Sequence, residues 1–352
     1  MIDFEVQILI TKLLKANENN IDYVALEAAD LLKKGEIVAI PTETVYGLAA
    51  QIYSDNAVRN IFKVKGRPQD NPIIVHISSV DMLPDLVMDI PDVANELIKH
   101  FWPGPLTIIF KKKKSVSDVI TCGMDTVAIR FPIHSVAQKI ISYTGIPLAA
   151  PSANLSGKPS PTTAEHCWND LNGKIPLIVD GGICDVGVES TVISVVGRIP
   201  TILRPGIISL EEIKEIIPEA IVSDKVLQPV GSDEKVESPG MKYKHYSPNC
   251  DVVLVDTDQN SFIKFVNENA SDGDYAMCFR EEYEFLNTPY EVYGSVNDAK
   301  EQAHNVFDIL RKMELNGAKR VYIHAPKHDG KALAVMNRLI RAAGFQVVKI
   351  ND

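Results

Sequence analysis

The stretch 61–77, IFKVKGRPQDNPIIVHI, is interpreted as the last turns of a helix, a short polar loop and a buried strand. Pro68 and Pro72 restrict the loop, because proline fixes φ near about −65° and limits the residue before it. The loop is therefore predicted to be stiffer than its polarity suggests.

This loop brings Lys65, Arg67 and Asn71 to one place, and His76 follows on the strand. Lysine is a compact charge and arginine a planar fork, and together they suit a polyphosphate. A solvated helix end explains the cations equally well, since cations favour the negative end of the helix dipole. On this stretch alone both interpretations stay open.

Outward from this loop, the N-terminal part mixes short predicted strands with helices. Helices are predicted over 21–34, 55–65, 92–101, 136–143 and 209–217. Strands are predicted over 36–40, 73–77, 106–110, 126–130, 147–150, 175–180, 188–196 and 201–204. The order is not a strict βαβ alternation, so it favours an α/β fold with a twisted mixed sheet and flanking helices.

After Asp251 the alternation becomes regular, with predicted strands over 252–256, 275–279, 320–324 and 346–350. Predicted helices over 261–269, 297–315 and 331–343 lie between them. This order predicts a smaller parallel α/β domain. We therefore expect a catalytic domain at 1–220, a linker at 221–250 and a C-terminal domain at 251–352.

The linker is stiffened by prolines and ends in an unusual composition. Aromatic and cationic residues alternate over 242–246, KYKHY, which suits a segment that covers a ligand. An aromatic anchor packed on a domain surface explains the same composition. Both interpretations of this linker, lid or anchor, stay open at this point.

The composition argues against nucleic-acid-coating and membrane-spanning classes of protein. The chain has 352 residues and a formal net charge of −10, which argues against a broad or stable nucleic-acid surface. Five scattered cysteines without a CxxC pair suit reduced thiols in the cytoplasm. We find no apolar run long enough for a membrane helix, so we expect a soluble, cytoplasmic protein.

Several catalytic signatures are missing from the sequence. Ser152 lies in APSAN, without the glycines of a serine-hydrolase elbow. A Walker loop is absent, and DGG at 180–182 does not fit the dinucleotide fingerprint. Glu43 and Glu189 can each equally be structural, so they do not establish a catalytic carboxylate pair.

Polar loops that follow predicted strands remain, at 42–44, 65–71, 126–130, 152–160, 189–191 and Arg204. Loops at strand ends converge in α/β proteins, so these predict one shared pocket. The pocket would hold cations, hydroxyls and amides without an evident nucleophile. That set favours a reaction driven by positioning and charge neutralisation, such as transfer at a phosphate.

Specific motifs occupy these loops: PTETVYGL at 41–48, Lys65-x-Arg67 with Ser152-x-Asn154, GVESTV at 187–192 and LRPG at 203–206. In combination they resemble the YrdC-type threonylcarbamoyl-AMP synthases. The linker motif SPGMKYKHYSP at 238–248 and the C-terminal part resemble the longer, two-domain form of that family, with a C-terminal Rossmann-like domain. The resemblance extends from about residue 21 to the end of the chain.

The resemblance implies a nucleotidyltransferase that makes threonylcarbamoyl-AMP and pyrophosphate from L-threonine, bicarbonate and ATP, with Mg²⁺ accompanying the ATP. It implies no protein-bound metal site. The product would pass to a tRNA threonylcarbamoyl-transferase complex that modifies tRNAs reading ANN codons.

The resemblance also implies roles for individual residues. Those implied for ATP are Lys65, Arg67, Asn71, Thr126, Ser152, Asn154, Ser160, Arg204 and the linker residue Tyr243, and Lys65 and Arg67 are the expected catalytic pair. Those implied for L-threonine are Thr44, His76, Arg130, Ala150 and Ser190.

Two other classes stay open. A non-catalytic RNA-binding or ribosome-associated module would use the same basic site, although the acidic net charge argues against it. A carbamoyl-transferring relative of the HypF type is expected to carry acylphosphatase and zinc-finger segments, which this sequence lacks.

Overall fold

The computed structural model describes residues 9–228 and 246–350. Within them, eleven N-terminal strands form one sheet: β1 (Lys12–Lys15), β2 (Val38–Ile40), β3 (Gly47–Gln51), β4 (Val75–His76), β5 (Leu106–Lys111), β6 (Thr126–Arg130), β7 (Leu148–Ala149), β8 (Leu177–Asp180), β9 (Thr191–Ser194), β10 (Thr201–Arg204) and β11 (Ile221–Val222). Their order is β1-β8-β2-β3-β7-β4-β6-β5-β9-β10-β11. The sheet is mixed: β4 pairs parallel with β6 and antiparallel with β7.

Helices flank this sheet: α1 (Ile21–Lys33), α2 (Asp55–Lys65), α3 (Asp92–Phe101), α4 (Asp118–Thr121), α5 (Ser135–Thr144), α6 (Ala164–Leu171) and α7 (Leu210–Lys214). The helix α2 shows how the sequence sets their limits. Its first turn is capped by Ser54, whose hydroxyl accepts from the Ala57 N–H. It ends at Gly66, whose left-handed φ of 63° suits a residue without a Cβ. The polar loop therefore begins at a defined point.

The apolar side of α2 anchors that loop to the core. Val58, Ile61 and Phe62 are buried in the main N-terminal core, together with Leu48 of β3. Burying each such side chain contributes about 1.5–3 kcal/mol relative to leaving it exposed.

The C-terminal sheet has five strands within the described ranges: β12 (Asp251–Asp256), β13 (Asp274–Phe279), β14 (Tyr290–Gly294), β15 (Arg320–His324) and β16 (Val347–Lys349). All of its pairings are parallel, in the order β14-β13-β15-β12-β16. The helices α8 (Gln259–Asn269), α9 (Ala299–Leu315) and α10 (Ala332–Ala342) connect the strands.

The two sheets are joined through a common apolar cluster and through ion pairs. Val45 and Val188 of the N-terminal part share a buried cluster with Phe307 and Leu310 of α9. Ion pairs across the same junction are Arg311–Asp170 (2.8 Å), Lys331–Glu212 (2.6 Å) and Arg338–Glu189 (2.8 Å).

The predicted α/β class with two sheets is confirmed, and α3, β6, β10 and β15 match their predicted limits. The structure contains four strands that the sequence pattern did not predict, β1, β3, β11 and β14, and β11 lies within the predicted linker, where it pairs parallel with β10. The predicted strand 188–196 is shorter, because only Thr191–Ser194 pairs with neighbours. Within the described ranges, no helix combines the length and apolarity that a membrane crossing requires.

Candidate active site

A single pocket collects eight of the predicted site residues. It lies where the ends of β4, β6 and β10 meet the start of β9. The predicted residues that line it are Thr44, Arg67, His76, Arg130, Ala150, Ser152, Ser190 and Arg204. Loops that are distant in sequence thus share one cavity.

Strand register explains part of this convergence. His76 and Arg130 are paired on the neighbouring parallel strands β4 and β6. Arg130 is also paired with Thr107 on β5, and the Thr107 hydroxyl lies 2.8 Å from the Ser190 hydroxyl. The threonine and serine therefore connect β5 to the loop before β9.

The buried guanidinium of Arg130 is held on three sides. It donates to the Thr44 hydroxyl at 2.7 Å and to the Gly104 carbonyl at 3.3 Å. Its NH2 nitrogen lies 2.7 Å from a carboxylate oxygen of Glu43. A cation fixed in this way can present a fork to an anionic ligand without reorganising.

Arg204 also lines the pocket. Its Nε donates to the Ser190 carbonyl at 3.1 Å, and its NH2 donates to the Ser190 hydroxyl at 3.1 Å. Gly206, two residues on, lies against the backbone of Thr191. A Cβ on Gly206 would stand 2.3 Å from the Thr191 nitrogen, so this close approach requires glycine.

His76 is a buried titratable ring that lines the pocket. Burial, with a smaller contribution from Arg130, lowers the pKa of His76 to about 3. The imidazole is therefore neutral near pH 7 and adds no charge beside Arg130. A neutral imidazole has one donor and one acceptor nitrogen, so it can orient a hydroxyl or an amine.

Lys65 does not line the pocket. Its ammonium lies beneath the Ser152 loop, where it donates to the backbone carbonyls of Ser152 at 2.5 Å and Asn154 at 2.6 Å. Burial, followed by repulsion from Arg67, lowers the pKa of Lys65 well below its ordinary value. In this arrangement Lys65 supports the loop that carries Ser152.

Asn71, Asn154 and Ser160 also lie behind the wall. The Asn71 carbonyl accepts from Arg67 at 3.0 Å, and the Asn154 side chain accepts from the Ser152 hydroxyl at 2.5 Å. Ser160 donates to a carboxylate oxygen of Glu189 at 2.5 Å. The partners of these three residues, Arg67, Ser152 and Glu189, line the pocket.

Thr126 lies farther along the sheet. Four residues before Arg130 on β6, it shares that strand face because side chains alternate with a period of two. It lines an adjacent groove with Ile109, Ser194 and Leu203. The pocket thus has a neighbouring groove on the same sheet.

Tyr243 lies outside the described residues. Tyr246, the first described residue after it, lines the pocket. The Tyr246 ring lies 5.1 Å from the Phe307 ring of α9 and 5.9 Å from the Arg338 guanidinium carbon of α10. The end of the predicted linker therefore forms one wall of the cavity.

Sequence reasoning assigned no ligand role to several lining residues. Glu189 and Tyr246 line the pocket, as do apolar groups of Val45, Ile73 and Ile74. The signal for Glu189 was its place in GVESTV at 187–192, within the polar stretch 189–191 that was expected to line the pocket. Its partner Arg338 is 149 residues away, which no local pattern reveals.

The carboxylates of the pocket region do not form a metal site. Glu43 is paired with Arg130, and Glu189 with Arg338. No group of three or more His, Cys, Asp or Glu residues suited to a metal occurs within 9–228 and 246–350. The residues present therefore do not fit a protein-held Mg²⁺.

Two family profiles together match most of the chain. One described as "Telomere recombination" matches residues 30–206, and one described as "Threonylcarbamoyl-AMP synthase, C-terminal domain" matches residues 208–344. The threonylcarbamoyl-AMP synthases of Pyrococcus abyssi and Bacillus subtilis are each 42% identical over 92% of this chain, covering 95% and 94% of their own lengths.

A solved structure agrees with these sequence matches. The crystal structure of the Pyrococcus abyssi relative in complex with L-threonine superposes with a TM-score of 0.86 at 39% identity, covering 97% of this chain and 100% of that one. The fold and site define a nucleotidyltransferase of the YrdC class. The chain belongs to the two-domain family of threonylcarbamoyl-AMP synthases.

Proposed function

We propose that the pocket binds L-threonine beside ATP, and that threonylcarbamoyl-AMP and pyrophosphate are made there from L-threonine, bicarbonate and ATP. The observation that carries this assignment is the convergence of Arg67, Arg130 and Arg204 on one cavity. Three guanidinium groups, one from a loop and two from the ends of β6 and β10, match a ligand set with a carboxylate and a triphosphate.

L-Threonine occupies the end formed by Thr44, His76, Arg130, Ala150 and Ser190. Its carboxylate accepts from Arg130, and its hydroxyl or amine meets the neutral His76. The crystal structure of the Pyrococcus abyssi relative with L-threonine supports the choice of this amino acid.

ATP occupies the end formed by Arg67, Ser152 and Arg204. Lys65, Asn71, Asn154 and Ser160 position these groups from behind, and Thr126 extends the site along the adjacent groove. Tyr243 remains a predicted ATP contact. Mg²⁺ would arrive with the nucleotide, held by phosphate oxygens and water, because the nearby carboxylates are already paired.

The reaction proceeds through charge neutralisation. The threonine amine loses a proton and takes up bicarbonate, which gives a carbamate and water. A carbamate oxygen then attacks the α-phosphorus, the bond to the β-phosphate oxygen breaks, and pyrophosphate leaves. Arg67 and Arg204 stabilise the charge that develops, as preorganised donors do in such transfers.

The test is to incubate the purified chain with ATP, bicarbonate and each of several amino acids, and to measure pyrophosphate. We expect release that depends on both L-threonine and bicarbonate. Equal release with every amino acid, or none with L-threonine, would contradict the proposal. The product is expected to serve a tRNA threonylcarbamoyl-transferase complex, and synthesis of the adenylate itself needs no RNA.

Replacing Arg130 by lysine should impair L-threonine binding. Lysine keeps a charge beside Glu43 but loses the fork, and a hydrogen bond to a charged group contributes about 1.5–3 kcal/mol. We expect KM for L-threonine to rise by about tenfold to a hundredfold, with a smaller change for ATP. Steady-state kinetics measure both constants. Arg198→Lys, at an exposed arginine, is the control. An unchanged KM for L-threonine in Arg130→Lys would contradict the assignment of Arg130 to L-threonine binding.

A further inference from the structure

The helix α10 of the C-terminal domain brings a fully buried arginine, Arg338, behind the pocket. Its Nε donates to a carboxylate oxygen of Glu189 at 2.8 Å, and its NH2 donates to the Glu189 carbonyl at 3.2 Å. Its NH1 donates to the Pro205 carbonyl at 2.7 Å. One guanidinium therefore joins two loops that both form the pocket wall.

Glu189 connects Arg338 to the pocket. Its second carboxylate oxygen accepts from Ser160 at 2.5 Å, and the next residue, Ser190, lines the cavity. Burial opposes ionisation of Glu189, but the charges of Arg338 and Arg204 outweigh it and lower its pKa to about 2. The carboxylate is therefore ionised near pH 7 and accepts hydrogen bonds from both Arg338 and Ser160.

The Pro205 contact acts on the neighbouring loop. Pro205 follows Arg204, whose guanidinium faces the cavity and bonds Ser190. Arg338 thus fixes the backbone on either side of the Arg204–Ser190 contact. A guanidinium that served only to hold the domains together would not need to meet both of these loops.

We infer that Arg338 of the C-terminal domain is a positioning residue for ATP, acting through Glu189 on Ser160 and through Pro205 on Arg204. This inference rests on the proposed placement of ATP in the pocket. It gives the C-terminal domain a part in the active site: the N-terminal sheet supplies the ligand-facing groups, and α10 fixes their orientation.

The test uses the full-length Arg338→Lys variant, in which the charge stays and the planar fork is lost. Pyrophosphate release is measured while ATP and L-threonine are varied separately. We expect KM for ATP to rise by roughly tenfold, the scale seen for outer partners of a binding group. KM for L-threonine should rise by a smaller factor, through Ser190, which follows Glu189 and bonds Arg204. A merely structural loss would instead reduce the amount of active enzyme and leave both KM values unchanged.

The control is Lys331→Ala, which removes another ion pair between the domains, with Glu212 at 2.6 Å, away from the pocket wall. It should leave both KM values at the wild-type level. Equal shifts in Lys331→Ala and Arg338→Lys would overturn the inference, because domain contact alone would then explain them.

A double-mutant cycle tests the route through Ser160. If Arg338 acts on ATP through Glu189 and Ser160, the combined Arg338→Lys and Ser160→Ala change should be less than additive. Full additivity would overturn that route. If Arg338→Lys does not fold, the pair Arg338→Gln with Glu189→Gln removes both buried charges together. A wild-type KM for ATP in that folded pair would also overturn it.

Failure of this inference differs from failure of the proposed function. If Arg67→Ala and Ser160→Ala both keep wild-type kinetics, the pocket is not the ATP site and the two proposals fail together. If those variants are impaired while Arg338→Lys is not, only the positioning role of Arg338 is wrong.

Discussion

Replacing Arg67 by alanine is expected to lower kcat/KM for threonylcarbamoyl-AMP synthesis by about a hundredfold to a thousandfold, the usual effect of removing one preorganised donor. The guanidinium donates to the carbonyls of Asn71 and Pro72, at 3.0 Å and 3.3 Å, and it lines the pocket. These hydrogen bonds fix the orientation of the Arg67 guanidinium before a nucleotide binds. Pyrophosphate release under steady-state conditions measures the effect.

The fold should survive this change. Arg67 is only partly buried, and the loop backbone is still fixed by the end of α2 and by Pro68 and Pro72. Arg59→Ala is the control, because Arg59 lies on α2, the helix that precedes the loop of Arg67, is exposed, and donates to the Gln69 side chain at 3.2 Å. We expect wild-type turnover in Arg59→Ala, and wild-type turnover in Arg67→Ala would remove the assignment of the phosphate end.

Ending the chain at Val222 is expected to leave a folded N-terminal domain with activity reduced at least about tenfold. The main core of that domain is built from its own residues. The truncation removes the Tyr246 wall and the partner of Glu189, and a buried charge left without its partner disturbs the site around it. Circular dichroism reports the fold, and pyrophosphate release reports the activity.

A full-length chain cut by a protease at a site introduced into residues 229–245 separates two causes of this loss. If the tethered linker acts as a lid, as its composition suggests, the cut chain should lose activity although both domains remain present. If only the contacts of α10 matter, the cut chain should keep activity. A truncated chain that works like the full-length protein would contradict both roles.

Sequence patterns predicted much of the fold because strong local signals mark many of its elements. The helix Asp92–Phe101 begins directly after Pro91, and Ser209 provides a capping box for α7. The strand Gly47–Gln51 carries no such signal, because GLAAQ lacks the β-branched and aromatic residues that favour strands. Its strand state depends on pairing with β2 and β7.

The site also contains residues that the sequence predicted and contacts that it could not predict. Arg67 was predicted because it follows a helix in the Lys65-x-Arg67 motif, and Arg130 and Arg204 because each ends a predicted strand. The structure brings these three residues to one cavity. The direction of Lys65 was not predictable, because a long flexible side chain at that helix end can reach the pocket or the carbonyls beneath the Ser152 loop. The Arg338–Glu189 pair was not predictable either, since it depends on how the two domains pack.

The most direct test of this account is a crystal structure of the chain with L-threonine and a non-hydrolysable ATP analogue. We expect the L-threonine carboxylate on Arg130 and the phosphates on Arg67 and Arg204, with the Ser152 loop still resting on Lys65. A nucleotide bound elsewhere on the molecule, with this pocket empty, would contradict the account.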